Sequence, residues 1–586
     1  MGEKGIKIDR LLSRKIQVAV AMKILNLGMI ICLVFFSFIS NAQQYNYPQN
    51  YFRHPLNIPM QLVANFGEIR ANHWHMGLDI RTQQRVNLPV YAAAEGYVAR
   101  VSVEPGGFGQ AIYINHPNGY TTVYGHLNAF FPGLAAYVKE QQYAQQSWQI
   151  NLILPPNMFP VSKGDFIAYS GSTGASEGPH VHFEIRDTKT EKCQNPLVFK
   201  FPIADAVPPT LTRLAMYDRN KSTYAQSPQI FALKKGGNGY TTNPGVIRTG
   251  SDKISFAIGA VDHFTGSTNP NGIFSASISM DGNPVSAFAL TDIDYDETRY
   301  INAQLDYPYH ARGGSYVQHI SPLPGATSVA YNLFGGDGLL HLNDDAPHTV
   351  VIEVKDANLN TSRLEFTVQH DAALSKYYPP AEGTMLLPNN VNVYERADFE
   401  FFTTEQSLYD TVLVNYTASS NGAANALSPL HSFLSASIPS HDSITVRIKP
   451  NVEITAENHD HVVIRNVSGS RTFVARATWQ QGWLAAKFRQ FGTYQAFVDN
   501  QPPSVNAPPT NLSAASRIVF TPTDNFNTIR SLRVELDGQW LRFTNDKGHS
   551  WIYTFDEHFP KGEHELKVIV EDEAGNVTTR TWNVKR

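Results

Sequence analysis

The sequence predicts a mainly β protein of several domains, with a small β-sheet domain near the N-terminus followed by β-sandwich modules. Three observations predict this. A chain of 586 residues exceeds what a single hydrophobic core usually supports. Its 40 Gly and 35 Pro, beside 42% hydrophobic and 17% charged residues, favour short strands between tight turns over long helices. One spacing of Asp, Pro, His and Asn also occurs twice along the chain. The net charge of −4 and the lack of any long basic run leave no electrostatic footprint for a nucleic acid, and none is expected as a partner.

Residues 1–42 read as an N-terminal extension and signal peptide. Lys23 precedes an apolar run from Ile24 to Ile39, and Ser40-Asn41-Ala42-Gln43 follows, with cleavage expected after Ala42. The run is shorter than the ~20 residues a spanning helix needs and no basic cluster follows it. The mature chain is therefore expected to have no transmembrane span and to act outside the cytoplasm, as a periplasmic, envelope-associated or secreted protein. Cys32 lies in the run, so only Cys193 remains after cleavage. It can form no internal disulfide and is expected to be an inert thiol.

Residues 43–204 form the small β domain. Its strands are expected at 90–92, 96–103, 111–115, 121–124, 166–170 and 181–186, each a short apolar alternation bounded by Gly, Pro or Asn. An arm, 128–161, interrupts them. Gly133 to Ser147 has helical composition, Leu154-Pro155-Pro156 breaks it, and the arm is expected to line a substrate groove.

Asp205-Ala206-Val207-Pro208-Pro209 then opens a module, 205–375, and Asp499-Asn500-Gln501-Pro502-Pro503 opens another, 499–586. The first carries Asp281-Gly282, His348, Asp356, Asn360 and Arg363; the second carries Asp537-Gly538, His564, Asp572, Asn576 and Arg580. Two copies of one β-sandwich module explain this correspondence. The Asp-x-x-x-Asn pairs suggest calcium, but turn residues bonding their own backbone are the commoner reason for such a pair, and they are read as turn residues. A third β-rich region, 376–498, lies between the modules. The modules resemble immunoglobulin-like domains in outline, and their expected role is spacing, anchoring or wall binding. A chain ended before Asp205 is expected to keep small-peptide hydrolysis.

Three segments gather polar residues that a β domain does not need: His73-Trp74-His75-Met76-Gly77-Leu78-Asp79, Tyr124-Gly125-His126-Leu127 and Gly178-Pro179-His180-Val181-His182-Phe183-Glu184-Ile185-Arg186. Alternation along a strand points His180, His182, Glu184 and Arg186 to one face and Val181, Phe183 and Ile185 to the other. Two imidazoles two positions apart can approach one ion, one as ligand and one just outside it. His75 and Asp79 on one straight strand would stand roughly 13 Å apart, so the chain must bend between them, and Gly77 is the expected bending point. With that turn, His75, Asp79 and His182 supply two imidazoles and a carboxylate and leave a fourth position open, the mark of a catalytic rather than structural zinc site.

In order and setting, His75-x-x-x-Asp79, Tyr124-Gly125-His126-Leu127 and His180-x-His182 resemble the motifs of the lysostaphin-type zinc metallopeptidases, peptidoglycan endopeptidases. The resemblance covers about Phe66 to Arg186 and implies a small β-sheet metallopeptidase domain. It implies that His75, Asp79 and His182 bind Zn2+ and that His126 and His180 are the catalytic pair, His180 in proton transfer and His126 in oxyanion support. Its implied substrate is peptidoglycan peptide. Glu177 departs from the family, where a small hydroxyl residue is more usual, and the arm is longer than a minimal member's.

Blander readings cover the other histidines. His459-Asp460-His461 reads as a solvated loop, and His54, His73 and His116 as structural. A cupin-type site would leave His75 and Asp79 unexplained. The rival within the fold is a catalytically silent wall-binding scaffold or hydrolase activator, which would be expected to have lost metal ligands.

Overall fold

The structure is a computed structural model and describes residues 47–586, apart from 327, 329, 380, 381, 421, 422 and 424. The expected signal peptide, 1–42, lies outside the described residues. Asn50–Arg586 forms one compact unit, which holds every element named below. Among the described residues no helix is long and apolar enough to cross a membrane.

The N-terminal β domain is built from β1 (Leu62–Ala64), β2 (Leu78–Arg81), β3 (Pro89–Tyr91), β4 (Gly96–Val103), β5 (Gln110–Asn115), β6 (Tyr120–Gly125), β7 (Leu127–Phe130), α1 (Pro132–Ala144), β8 (Ile150–Ile153), β9 (Phe166–Ser170) and β10 (His180–Asp187). The main sheet runs β1-β2-β10-β6-β5-β4-β8, and β3-β9-β7 form a second, three-stranded sheet. All the main-path pairings are antiparallel. Register does the positioning: on β10, His182 faces Asp79 of β2 on one side and Gly125 of β6 on the other. Three motifs distant in sequence thereby become neighbours.

The arm departs from its expected place. Helix α1 begins with Pro132, whose missing N–H costs nothing in a first turn, and buries Leu134, Val138 and Gln142 on one face at a spacing of four. Strand β8 then joins the edge of the main sheet beside β4. The arm does not line the cavity that holds the site histidines; its residues Gln145, Ser147 and Gln149 border a separate one.

Downstream, the chain remains β throughout. Residues 383–499 fold as two five-stranded sheets around their own core, which includes Phe399, Phe433, Ile444 and Tyr494. The repeated spacing is repeated geometry: Asp281 pairs with His348 at 2.7 Å and accepts from Thr349 N at 2.8 Å, while Asp537 pairs with His564 at 2.6 Å and accepts from Glu565 N at 2.8 Å. The Asp-x-x-x-Asn pairs do close turns, with Asn360 N on Asp356 Oδ1 at 2.9 Å and Asn576 N on Asp572 Oδ1 at 2.8 Å.

The first module shares a core with the β domain. Phe66, Trp74, Met76 and Cys193 pack in one cluster with Leu214, Phe256, Phe288 and Leu290. Hydrogen bonds follow the same seam: Trp74 Nε1 donates to Gln304 Oε1 at 2.9 Å, and Asn65 and Gly272 bond reciprocally at 2.8 and 2.9 Å.

Candidate metal centre

His75 Nε2, Asp79 Oδ1 and His182 Nδ1 form a triangle with all three sides 3.0 Å. All three residues are buried. The hydrogen atoms decide what this triangle can do. His75 Nδ1 lies 2.8 Å from the carbonyl of Asn65, which can only accept, so that nitrogen carries the proton and Nε2 presents a lone pair. His182 Nε2 lies 2.9 Å from Glu184 Oε1, so it too is the protonated nitrogen and Nδ1 presents a lone pair. With both rings neutral, three lone pairs, counting the carboxylate oxygen, converge. That arrangement fits a cation, and donors on a tetrahedral ion with bonds of about 2.0–2.1 Å stand about 3.3–3.4 Å apart, close to what is seen. These three residues could hold a metal.

Two further imidazoles stand beside them. His180 Nδ1 donates to Gly178 O at 2.8 Å and its Nε2 comes within 3.3 Å of Asp79 Oδ1. His126 Nδ1 donates to Thr173 O at 2.8 Å, and its ring lies 4.6 Å from that of His180. Each therefore offers Nε2 as an acceptor. His126 takes up a left-handed backbone conformation, φ 59°, immediately after β6, a strained setting of the kind found at functional sites.

Gly77 is required for a different reason from the one expected. Its φ is not positive. Instead the β10 strand passes so close that an added Cβ would stand 2.5 Å from Phe183 O and 2.9 Å from His182 Nε2. The bend is achieved by close approach, and a side chain there would push on the His182 imidazole.

Electrostatics reinforce the geometry. Burial alone would raise the Asp79 carboxyl, but the facing imidazoles of His75, His180 and His182 hold it well below the usual range. Burial would lower His182, yet Asp79 and Glu184 outweigh it and raise it to about 9. Burial, with His182 and His180 adding to it, pushes His126 down to about 3, so that ring is neutral. Arg70 Nη2 donates to the second Asp79 oxygen at 3.2 Å, leaving the first for the triangle.

Two contributors to the site were missed by the sequence. Glu184 is fully buried, anchors His182, and also accepts from Arg186 Nε at 2.7 Å and Tyr295 Oη at 2.5 Å. Alternation placed Glu184 on the right face but gave no role, and Tyr295 belongs to the first module, with no local signal. The expected structural histidines behave as such: His116 bonds Glu95 O at 2.7 Å and Thr122 Oγ1 at 2.8 Å, His54 bonds Ile58 O at 2.9 Å, and exposed His459 stacks on Trp479. His73 bonds Ala71 O at 3.0 Å and borders the cavity.

The site opens into a cavity of about 970 Å³ whose walls include Arg70, Phe108, Ser176, Glu177 and Tyr295. Residues 73–153 match the model of Peptidase family M23. The chain carries a Peptidase family M23 domain. The match holds His75, Asp79 and His126, while His180 and His182 lie beyond its end. Residues 383–499 match a Zu5-like domain and 509–585 a bacterial Ig-like domain. Curated relatives include an uncharacterized metalloprotease of Haemophilus influenzae, 31% identical over 171 residues that make up 28% of this chain and 30% of that protein. The DD-carboxypeptidase/endopeptidase Mpg of Neisseria meningitidis serogroup B is 35% identical over 112 residues, 19% of this chain and 20% of that protein. The chain thus spans less than a third of the length of either. A zinc containing peptidase from Vibrio cholerae, known as a crystal structure, is 27% identical, with 24% of this chain and 37% of that one covered and a TM-score of 0.18.

Proposed function

We propose that the chain is a zinc-dependent endopeptidase acting on peptide bonds of bacterial peptidoglycan, outside the cytoplasm. The observation that carries the reading is the convergence of three unprotonated donors, His75 Nε2, Asp79 Oδ1 and His182 Nδ1, beside two imidazoles whose Nε2 atoms accept. Zinc held there would supply Lewis acidity toward a water and the scissile carbonyl. The peptidoglycan substrate follows from the resemblance to the Neisseria and lysostaphin-type enzymes, with Glu177 on the cavity wall as a point of specificity.

The chain's own groups account for the remaining steps. His180 is positioned to take the proton from the attacking water and return it to the leaving amine, since its Nε2 is a free acceptor within 3.3 Å of Asp79 Oδ1. Thr173 O sets a condition on His126: with Nδ1–H held there, Nε2 donates to an oxyanion only after it has received a proton. Arg70 and Glu184 hold Asp79 and His182 in orientation.

Digestion of purified peptidoglycan, with product masses, tests this. The wild type is expected to release new amine termini, His182→Ala and chelator-treated protein none, and His180→Ala to retain zinc while losing about 10²–10⁴-fold in kcat. Equal cleavage by His182→Ala would end the reading. A wild type that binds sacculi yet cleaves no better than His180→Ala would make the chain a scaffold of the same fold.

A further inference from the structure

Away from the histidines, two groups of three aspartates recur at matching places. Asp205, Asp262 and Asp356 in the first module, and Asp499, Asp524 and Asp572 in the last, each bring one oxygen per residue within 4.8 Å of the others. Asp205 and Asp499 begin the two Asp-x-x-Pro-Pro joints, and Asp356 and Asp572 begin the two Asp-x-x-x-Asn turns. In both modules the turn asparagine also reaches back, Asn360 Nδ2 to Asp205 O at 3.4 Å and Asn576 Nδ2 to Asp499 O at 2.9 Å.

The turns account for Asp356 and Asp572, and Asp524 Oδ2 also accepts from Phe526 N at 2.8 Å, but no turn accounts for Asp262. Asp262 is 1% exposed and its Oδ1 meets no hydrogen-bond partner. Its backbone bonds Asn271 in both directions, at 3.0 and 2.9 Å, which sets the two side chains on one face, and the Asn271 Oδ1 is also buried without a partner. Asp524 Oδ1 repeats the unpartnered oxygen in the last module. The charged groups that bear on Asp262 are Asp356 and Asp205, both acidic; burial first, then these two, push its carboxyl up to about 7. Buried carboxylates facing one another without a cation are costly.

We propose that each aspartate group binds one calcium ion, which pins the joint at the start of the module to the hairpin turn at 356–360 or 572–576. The donors are all hard oxygens, with no imidazole or thiolate, which selects against zinc. Three carboxylates supplied by the chain itself suit calcium, which takes many oxygen ligands in a flexible cage, better than magnesium, which keeps several waters and is held by one or two carboxylates. This inference stands apart from the peptidase reading.

The test uses the full chain, already loaded with zinc, in equilibrium dialysis against radioactive calcium near neutral pH. About two calcium ions per chain are expected to bind, with dissociation constants on the order of 10⁻⁴–10⁻³ M, and calcium but not equimolar magnesium is expected to raise Tm by a few degrees. Asp262→Asn and Asp524→Asn keep side-chain shape and relieve repulsion, so both are expected to fold. Each should remove one ion, and the double variant should abolish the Tm response. No binding by the wild type at about 5 mM calcium, or an unchanged Tm response in the double variant, would overturn the proposal. Peptidase activity is not read in any arm.

Discussion

Glu184 shows how one residue can support a site that it does not enter. Its carboxylate takes hydrogen bonds from His182, Arg186 and Tyr295, and the first two with Tyr295 hold it at about 2 against the upward push of its burial. A carboxylate on the outer nitrogen of a metal-binding imidazole fixes the tautomer and raises basicity, and losing one typically costs 10–100-fold in metal affinity. Glu184→Gln is accordingly expected to weaken zinc binding by about 100-fold and Tyr295→Phe by about 10-fold, measured by competition with a chromophoric chelator. Unchanged affinity in Glu184→Gln would show that the pair only packs. A second buried residue governs acid stability. His319 is 1% exposed, and burial, with Arg219 adding to it, lowers it to about 3. The unfolded ring takes a proton near 6.5 and the native ring resists until about 3, so unfolding binds protons between these values and stability falls as pH falls. From about pH 7.5 to about pH 5 the wild type should lose about 2 kcal/mol more than His319→Gln in denaturant unfolding. Parallel losses would place the proton elsewhere.

At the scale of elements, the strands were legible because alternation and Gly or Pro breaks are local properties. Strands β4 and β9 begin and end where those signals put them, and α1 falls on the stretch whose composition is helical, starting one residue earlier and ending three sooner than Gly133 to Ser147. What the arm rests on was not legible, because the pairing of β8 with β4 and the docking of α1 are set by partners far along the chain. Tyr143 of α1 stacks on His558 at 3.8 Å and Lys139 bonds Asp556 at 2.7 Å, so the arm carries the last module rather than the substrate groove. That module also reaches the site's rim. Asp546 Oδ1 accepts from Gly174 N at 2.7 Å and Lys547 Nζ donates to Ser176 O at 2.6 Å. The loop so gripped holds Thr173 O against His126 and Ser176 Oγ 3.3 Å from His180 Nδ1. Neither Asp546 nor Lys547 borders the cavity, so the contact positions the loop without blocking access. Asp546→Ala with Lys547→Met should lower kcat by about 10-fold at unchanged zinc affinity, because sub-ångström placement of reacting groups carries penalties of this order. A faster variant would mean that the contact restrains the enzyme.

At the scale of the whole molecule, the site and its supports belong to different segments of sequence. The five residues at the centre fall in the N-terminal domain and carry motif signals, which is why they could be read directly. Their more distant supports, Gly272, Tyr295 and Gln304, do not. His75 is oriented by Asn65, which Gly272 holds, and His182 by Glu184, which Tyr295 holds; Trp74, beside His75, bonds Gln304. Both imidazoles thus depend on the first module through one intermediary, and Phe66, Trp74 and Met76 have their core there. The shared core and these bonds lead to the opposite prediction from the expectation that a chain ended before Asp205 retains hydrolysis. Ending it at residue 204 would expose those apolar groups and free both imidazoles, whereas ending it at residue 498 removes the grip on the 173–176 loop and the contacts with the arm, none of which holds either imidazole. The shorter chain is expected to be aggregation-prone and to hold well under one zinc per chain, and the longer one to hold a full equivalent with kcat reduced about 10-fold, both read by metal analysis and near-ultraviolet circular dichroism. A chain ended at 204 that stays monomeric and binds zinc as tightly as the whole protein would show that the β domain folds and builds its metal site without the module.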